Sequence, residues 1–447
     1  MSSMSSCNLH RGCERAVNVR PQRGAATLIV VSALFFIVAL VAAYANRNLI
    51  FEQRTSANQQ RSTLAFEAAD AGVEWAVAML NVGRIDASCQ PLNDNTASSF
   101  RDRYLEINAT TGMVQPRPNL AAGSLPTCVD NGTQWLCSCP ATGAPSVAAP
   151  ATGIVAPAFR LRFVQRPANR PGTIWVEVQA CTRLDDDCLS FGPANAVNTV
   201  SGEGRARTTV LLALRSALPS LPVATLTAPG TVDLDNTAVR ISNPLRGNSL
   251  SLAIQAGVAL IKDSALVLVL PAGELVSPGP QVLWPDPSFV NAAGPNGERW
   301  FGSLFGIQAA VYSTQPASLI LNCSSPCNAN TVREVAARNP GRILWAEGDV
   351  NLNGGAALGS AAEPVILIVE GDLETSNIQI NGLVYGRKTN WSFKDTGTNT
   401  SLRGAVIAEN NLVLSGTVEL IRDADILDQL RWRHGSFVRV PGGWSDY

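Results

Sequence analysis

Histidine is nearly missing from this chain of 447 residues: only His10 and His434 occur. A histidine-based nucleophilic triad would have to be built on His434, whose setting, Arg431-Trp-Arg-His-Gly, reads as an exposed basic turn near the carboxy terminus. Charge is scarce as well, at 15% of residues and a net of −1. No basic stripe with interleaved aromatics follows Asn46, so there is no footprint for phosphate capture and no nucleic acid is expected as a partner. Metal-ligand spacing is also lacking. Structural zinc is held by paired C-x2-4-C units, and neither Cys137-Ser-Cys139 nor Cys323-x3-Cys327 has a mate. Asp185-Asp186-Asp187 and Asp423-x-Asp425-x-x-Asp428 are oxygen-rich but follow no established calcium-loop spacing, and read as solvated acids on turns. No metal, cofactor or catalytic constellation is expected.

The most informative absence is local. From Ala25 to Ala45 there is no charged residue. At about 1.5 Å per residue such a run spans roughly 30 Å, the thickness of a bilayer's hydrocarbon core. Ala43-Tyr44-Ala45 has the small-x-small form of a signal-peptidase site, but the run is longer than a signal peptide's apolar region. Arg11, Arg15, Arg20 and Arg23 outweigh Glu14 on the amino-terminal flank, which keeps that side cytoplasmic and sends the remaining mass to the periplasm. Beyond the run, Asn46 to Asn81 has no proline and one glycine, Gly72. Leu64, Ala68, Ala71, Trp75 and Met79 recur at helical spacing and form one apolar stripe. The two segments together predict one helix from about Ala26 to Leu80, roughly 80 Å long.

The string Arg23-Gly24-Ala25-Ala26-Thr27-Leu28-Ile29-Val30-Val31, followed by Gln60-Arg61 and Leu64-Ala65-Phe66-Glu67-Ala68-Ala69-Asp70-Ala71, resembles the amino-terminal region of type IV pilus minor pilins of the PilX family, over about Gln22 to Leu80. The resemblance implies a leader, Met1 to Gly24, that a prepilin peptidase removes by cutting after Gly24 before methylating Ala25. Glycine suits such a site because a backbone without Cβ enters a tight cleft. One departure stands out: major pilins carry a glutamate at the fifth mature position, and here that position is Ile29, with no acid after Gly24 until Glu52. In the family that buried carboxylate pairs with the amino terminus of the subunit assembled just before it. A subunit that cannot offer it suits a place with no predecessor, at or near the filament tip.

The expected function is assembly or initiation of a type IV pilus, without catalysis. The implied partners are other minor pilins, the major pilin, the prepilin peptidase and a tip adhesin. The implied location is the inner membrane with a periplasmic carboxy-terminal part, then the extracellular pilus. Two alternatives share the features: the tip minor pseudopilin of a type II secretion system, and a membrane-tethered periplasmic β-helix enzyme acting on polysaccharide, with Asp349 and Asp372 as its carboxylates.

Excluding Cys7 and Cys13 of the leader, eight cysteines remain, an even count that suits disulfides in an oxidising compartment. Cys181 with Cys188 and Cys323 with Cys327 close short loops. Cys137 and Cys139 are expected to bridge to Cys89 and Cys128, in an order the spacing leaves open. Asn330 is the expected N-cap of a short helix, Thr331 to Arg338, after the last pair.

Three alternating strands, around Phe159 to Phe163, Ile174 to Ala180 and Arg207 to Leu214, need a lid, and the helical stripe supplies one. Between them, Ala97 to Ala158 reads as disulfide-held loops, and Arg215 to Gly230, with three prolines, as a linker. Ile343-Leu-Trp-Ala-Glu-Gly348-Asp349, Val365-Ile-Leu-Ile-Val-Glu-Gly371-Asp372 and Ala405-Val-Ile-Ala-Glu-Asn410-Asn411 echo one another, each a strand followed by a corner. Such echoes are the mark of an irregular parallel β-solenoid, with Thr231 to Ile241 as an earlier rung. The predicted class is therefore α+β, mainly β. Its organisation is leader 1–24, transmembrane and amphipathic pilin helix 25–82, pilin-like β domain 83–218 with disulfide loops, and β-rich carboxy-terminal domain 219–447. Among the aromatics, Trp444 is expected to tuck against the last domain as a cap.

Overall fold

The computed structural model describes residues 25–118, 120, 123–148, 150, 155–166, 170–192, 203–234, 238–244, 252–262, 267–268, 281–289 and 297–446. The leader expectation, with its cut after Gly24, lies outside the described residues. Helix α1 (Ala25–Leu80) is the first element. The chain divides into two units between Gln60 and Arg61.

In the second unit, the end of α1 lies on a six-stranded antiparallel sheet. Its strand order is Gly435–Asp446, Arg205–Ser216, Thr173–Cys181, Ala158–Val164, Thr127–Asp130 and Trp135–Ser138. Alternation along the strands sends Phe159, Leu161, Ile174, Val176, Val178 and Leu212 into the core that meets Ala68, Ala69, Val73, Ala76, Met79 and Leu80 of α1. The helix face is mostly alanine, which brings the helix axis close to the sheet. A Cβ on Gly72 would sit 2.7 Å from Cγ1 of Val178, so only glycine fits there without a shift. The buried stripe differs in part from the expected one: Ala65, Ala69, Val73 and Ala76 are its centre, while Leu64, Ala71 and Trp75 lie half-buried at its margin. Trp75 earns that position through edge contacts, its ring centroid 5.4 Å from that of Phe100 and 5.7 Å from that of Phe159.

Three expectations are corrected in this region. The Ala97 to Ala158 segment is not only loops: it contains the short helix α2 (Phe100–Tyr104), a small hairpin and two strands of the main sheet. The Arg215 to Gly230 stretch is not a loose linker, since Ala217, Leu218, Ala224, Leu226 and Ala228 are fully buried. And the last strand, Gly435–Asp446, leaves the carboxy-terminal domain to pair antiparallel with Arg205–Ser216, with Gly435 opposite Ser216. The β-rich domain is thus an insertion between two neighbouring strands of the pilin-like sheet. Trp444, on that strand, is 64% exposed and caps nothing.

The inserted part is a parallel sheet curled into rungs. One wall runs through Val282–Leu283, Ile254–Ala256, Leu226–Ala228, the ends of Thr400–Ala408 and Gln379–Gly386, Val365–Val369, and the beginnings of Ile343–Asn353 and Ser318–Asn328. A second wall runs through Leu260–Lys262, Val232–Leu234, Asn411–Ser415, Asn390–Asp395, Leu373–Ser376 and the end of Ile343–Asn353. A third joins Val267–Leu268, Arg240–Ser242, Val418–Ile421 and the beginnings of Thr400–Ala408 and Gln379–Gly386. Every pairing between these walls' strands is parallel, as a coil of rungs requires. The stacking order is not the chain order. The first rung starts in the middle, against the last one, where Leu226 pairs with Val406 and Val232 with Leu412.

The Gly-Asp and Asn-Asn echoes are the corners between the first two walls. Oδ1 of Asp349 accepts from the amide of Asp372 at 2.8 Å, and Oδ1 of Asp372 from that of Ser392 at 3.0 Å. Asn411 donates to Oδ1 of Asn390 at 2.8 Å and accepts from the amide of Thr231 at 2.8 Å. Each short polar side chain thereby satisfies a backbone donor of the adjoining rung that the turn leaves unpaired. Inside the coil, aliphatic residues stack with Trp391 and Phe393. The first wall is buried on its outer side too. There Ile343, Trp345, Ile366, Ile368, Leu383 and Tyr385 meet Phe301 and Phe305 of α3 (Glu298–Phe305), Tyr312 of α4 (Ala309–Ser313), and Leu427 and Leu430 from residues 424–433. A strand wet on neither face needs a continuous apolar run, which Val365–Val369 has.

Helix α5 (Ala329–Arg338) packs Val332 into the coil's core, and its N-cap is Asn328, not Asn330: the Asn328 side chain accepts from the amides of Asn330 and Thr331. Helix α6 (Ala424–Arg433) is capped by Asp423 in the same manner.

Candidate assembly surface

From Ala26 to Ala45 the first unit's helix carries no charge on any side. Leu28, Ile29, Val30 and Val31 are consecutive, and each exposes more than half its surface; Leu34, Phe35, Phe36, Ile37 and Val38 repeat this one turn on. Consecutive residues on a helix point about 100° apart, so this surface is apolar all round, the pattern of a helix surrounded by lipid or by other apolar helices. Ile29 is 66% exposed. Fully burying one such side chain is worth about 1.5 to 3 kcal/mol, so the segment has a strong drive to leave water. Its length and composition are those of a membrane-crossing helix.

The other end of α1 is held by a buried arginine. Arg101 of α2 donates from Nε and Nη2 to the Leu80 carbonyl at 3.3 and 3.1 Å, from Nη1 to Arg433 O at 2.9 Å and from Nη2 to Gly435 O at 2.9 Å. One guanidinium fork therefore caps the last turn of the helix and ties it to the point where the chain returns from the solenoid. Burial lowers its pKa to about 10, which leaves it charged at neutral pH. Asn81 adds a second tie, donating to Phe437 O at 2.9 Å and accepting from its amide at 2.8 Å. Arg84, nearly buried, forks onto Glu363 at 3.1 and 2.8 Å and donates to Ala337 O at 2.7 Å.

His434 lies in this junction and not on an exposed turn. It is buried, its Nε2 2.8 Å from Pro364 O. Loss of hydration and the charges of Arg101 and Arg433 bring its pKa down to about 4, so it is a neutral donor at pH 7. No base or hydroxyl nucleophile faces it in a triad arrangement among the described contacts.

The remaining expected residues fall into structural places. Cys89 bonds to Cys139, Cys128 to Cys137, Cys181 to Cys188 and Cys323 to Cys327. The pairing that spacing left open places the longest bridge across the α2 region. Asp186 pairs with Arg160 at 2.6 Å, and Asp185 accepts from the Cys188 amide at 2.9 Å. Asp349 and Asp372 are the corner residues described above, the latter paired with Lys388 at 2.5 Å. Among the described residues no cluster of three or more His, Cys, Asp or Glu has the arrangement of a metal site. Trp391 and Phe393 are core, and Arg101, the residue that organises the junction, carried no sequence signal beyond its place after the N-cap Ser99.

The chain therefore combines an apolar helix, an antiparallel sheet that packs on the helix's last turns, and a β-rich part inserted between two strands of that sheet. Residues 23–74 match the PilX N-terminal family. No curated protein matches the chain. Among solved structures it is similar to the competence-associated pilin ComZ from Thermus thermophilus, with 12% identity over 87% of this chain and 97% of that one. The TM-score is 0.24.

Proposed function

We propose that this chain is a minor pilin that takes part in the assembly or initiation of a type IV pilus, at or near the filament tip. The observation that carries the reading is the uncharged, all-apolar helix with Ile29 at its fifth position, in a segment that matches the PilX N-terminal family. After cleavage behind Gly24 and methylation of Ala25, the helix exchanges lipid for neighbouring helices of the major pilin and other minor pilins. Without a carboxylate at position 29 the subunit cannot neutralise the terminal ammonium of a predecessor, and an unpaired buried charge costs about 3 to 5 kcal/mol. The first subunit assembled has no predecessor and avoids that cost. A bulky insertion on the pilin-like sheet also suits a tip better than a crowded shaft, where it is placed to meet a tip adhesin. Before assembly the chain sits in the inner membrane with its folded part in the periplasm.

Mass spectrometry of the chain recovered from sheared pili tests the maturation step, with N-methyl-Ala25 as the expected terminus. Ile29→Glu tests the position: it is expected to let the chain enter the shaft, seen as immunogold label along filaments and not confined to one end. An unchanged distribution would overturn the tip assignment, and an uncut Met1 terminus the whole reading.

A further inference from the structure

Beside the junction, a cleft of about 360 Å3 opens between α5 and the residues that follow Asn353. That volume is within the range of small-molecule sites. Its wall holds four charged side chains, Arg333, Glu334, Arg342 and Glu363. Both acids already have cations from outside the wall: Glu363 is paired with Arg84 at 2.8 Å and Glu334 with Arg338 at 3.3 Å. Neither arginine has an acid among the described residues. Arg333 donates to the carbonyls of Gly354 and Ala356 and to Asn330 Oδ1. Arg342 donates to Pro316 O at 2.5 Å and, at the limit of a hydrogen bond, to Asn339 Oδ1 at 3.5 Å. Its Nε is buried and has no acceptor. Burial lowers the Arg342 pKa to about 10, so it remains a cation without a counter-charge.

Two arginines without a carboxylate partner among the described residues, on the wall of one cleft, suit it to an anion from elsewhere. The remaining polar wall is made of Asn95, Asn330, Asn339 and Ser360, which both donate and accept. Such groups match hydroxyls, while Leu344 and Val365 supply an apolar floor.

We propose that this cleft binds a small polyhydroxylated carboxylate, its acid group on Arg342 with support from Arg333, and its hydroxyls on the amide side chains. The charge surplus selects an acid over a neutral sugar, and a planar guanidinium can hold a carboxylate through paired hydrogen bonds. This is a binding activity of the solenoid, independent of where the chain sits in a filament.

Isothermal titration calorimetry on the full chain in detergent tests it, with D-glucuronate, D-glucose and inorganic phosphate as probes. Saturable D-glucuronate binding is expected, with a dissociation constant of about 1 mM or tighter, and none for D-glucose. Arg342→Gln removes the acid's partner. Ala357→Trp, at an exposed position on the lip, fills the mouth without touching a hydrogen bond. Each is expected to weaken binding at least tenfold, with near-ultraviolet circular dichroism unchanged for Ala357→Trp. If Arg342→Gln disturbs that spectrum, Ala357→Trp alone decides. Absent D-glucuronate binding, equal binding of D-glucose, or an Ala357→Trp variant that binds as the parent does would overturn the proposal. Phosphate that displaces D-glucuronate at equal concentration would overturn its carboxylate selectivity.

Discussion

Replacing Arg101 with methionine removes the fork that holds the end of α1 to the returning strand while keeping a side chain of similar length. The magnitude can be worked from its contacts. Three carbonyls, those of Leu80, Arg433 and Gly435, lose their donor in a buried place. At about 1 to 3 kcal/mol for each orphaned group the gross cost is several kcal/mol. Relief from burying a cation, and water entry at the Leu80 carbonyl, offset part of it, so about 3 to 4 kcal/mol of local destabilisation is expected. Apolar contact with Phe437, whose ring lies 5.0 Å from the guanidinium carbon, survives in the methionine variant. A chain of several folded parts does not unfold in one step, so a global midpoint is the wrong measure. Amide hydrogen exchange reads the junction directly. Protection of the Phe437 and Ala217 amides, which donate to Asn81 Oδ1 and His434 O, is expected to fall by about 100- to 1000-fold, since each 1.4 kcal/mol is a factor of ten. Protection at Ile366 and Ile368, in the solenoid's first wall, is expected to stay within a few-fold. A junction change under tenfold, or an equal loss in the wall, would refute the claim that Arg101 ties these parts together.

Three further outcomes follow from the structure. His434 is neutral in the folded chain down to about pH 4 but titrates at 6.5 when unfolded. Its stabilising neutral state is therefore fully present above pH 6.5 and is lost as pH falls to 4, by about 3 kcal/mol over that window. Chemical denaturation followed at the junction should show that slope, and His434→Gln, which keeps a donor for Pro364, should flatten it. Cys89 and Cys139 close a loop with a separation of 50 residues, Cys323 and Cys327 one of 4. On chain entropy alone, removing the first pair as a double alanine variant costs about 4 kcal/mol and the second about 2, a ranking that denaturation of the two variants would check. The Ile29→Glu distribution along filaments, given above, is the fourth test.

Local patterns were legible where local physics decides. Twenty-one uncharged residues cannot be anything but an apolar helix or a buried core segment, and the absence of proline as far as Asn81 carried the helix onward. The Gly-Asp and Asn-Asn corners were readable because the requirement they meet, a turn that accepts from the next rung, repeats from one rung to the next. What escaped was long-range pairing. Nothing in Gly435–Asp446 says that its partner is Arg205–Ser216 and not a nearer strand, because antiparallel pairing leaves no mark in the paired residues' identities. The same reason hid the site of His434: after Arg431 and Arg433 it looks solvated, yet the Arg433 side chain reaches Asp102 at 3.5 Å and the Ala362 carbonyl at 3.3 Å, while its own carbonyl and the next side chain turn inward to Arg101 and Pro364. Prolines near Ser220 suggested a free linker, whereas they let the chain cross, without ladder donors, between two packed sheets. The two cations of the cleft escaped for a like reason, since Arg333 and Arg342 come to line one cleft only once α5 folds against the coil.

The solenoid leaves and rejoins the pilin-like sheet at directly facing residues, Ser216 and Gly435. To the rest of the head it is the loop of a hairpin, however large that loop has become. Such a plug-in geometry lets the inserted part be enlarged, trimmed or exchanged without disturbing the pairing of the helix-on-sheet body.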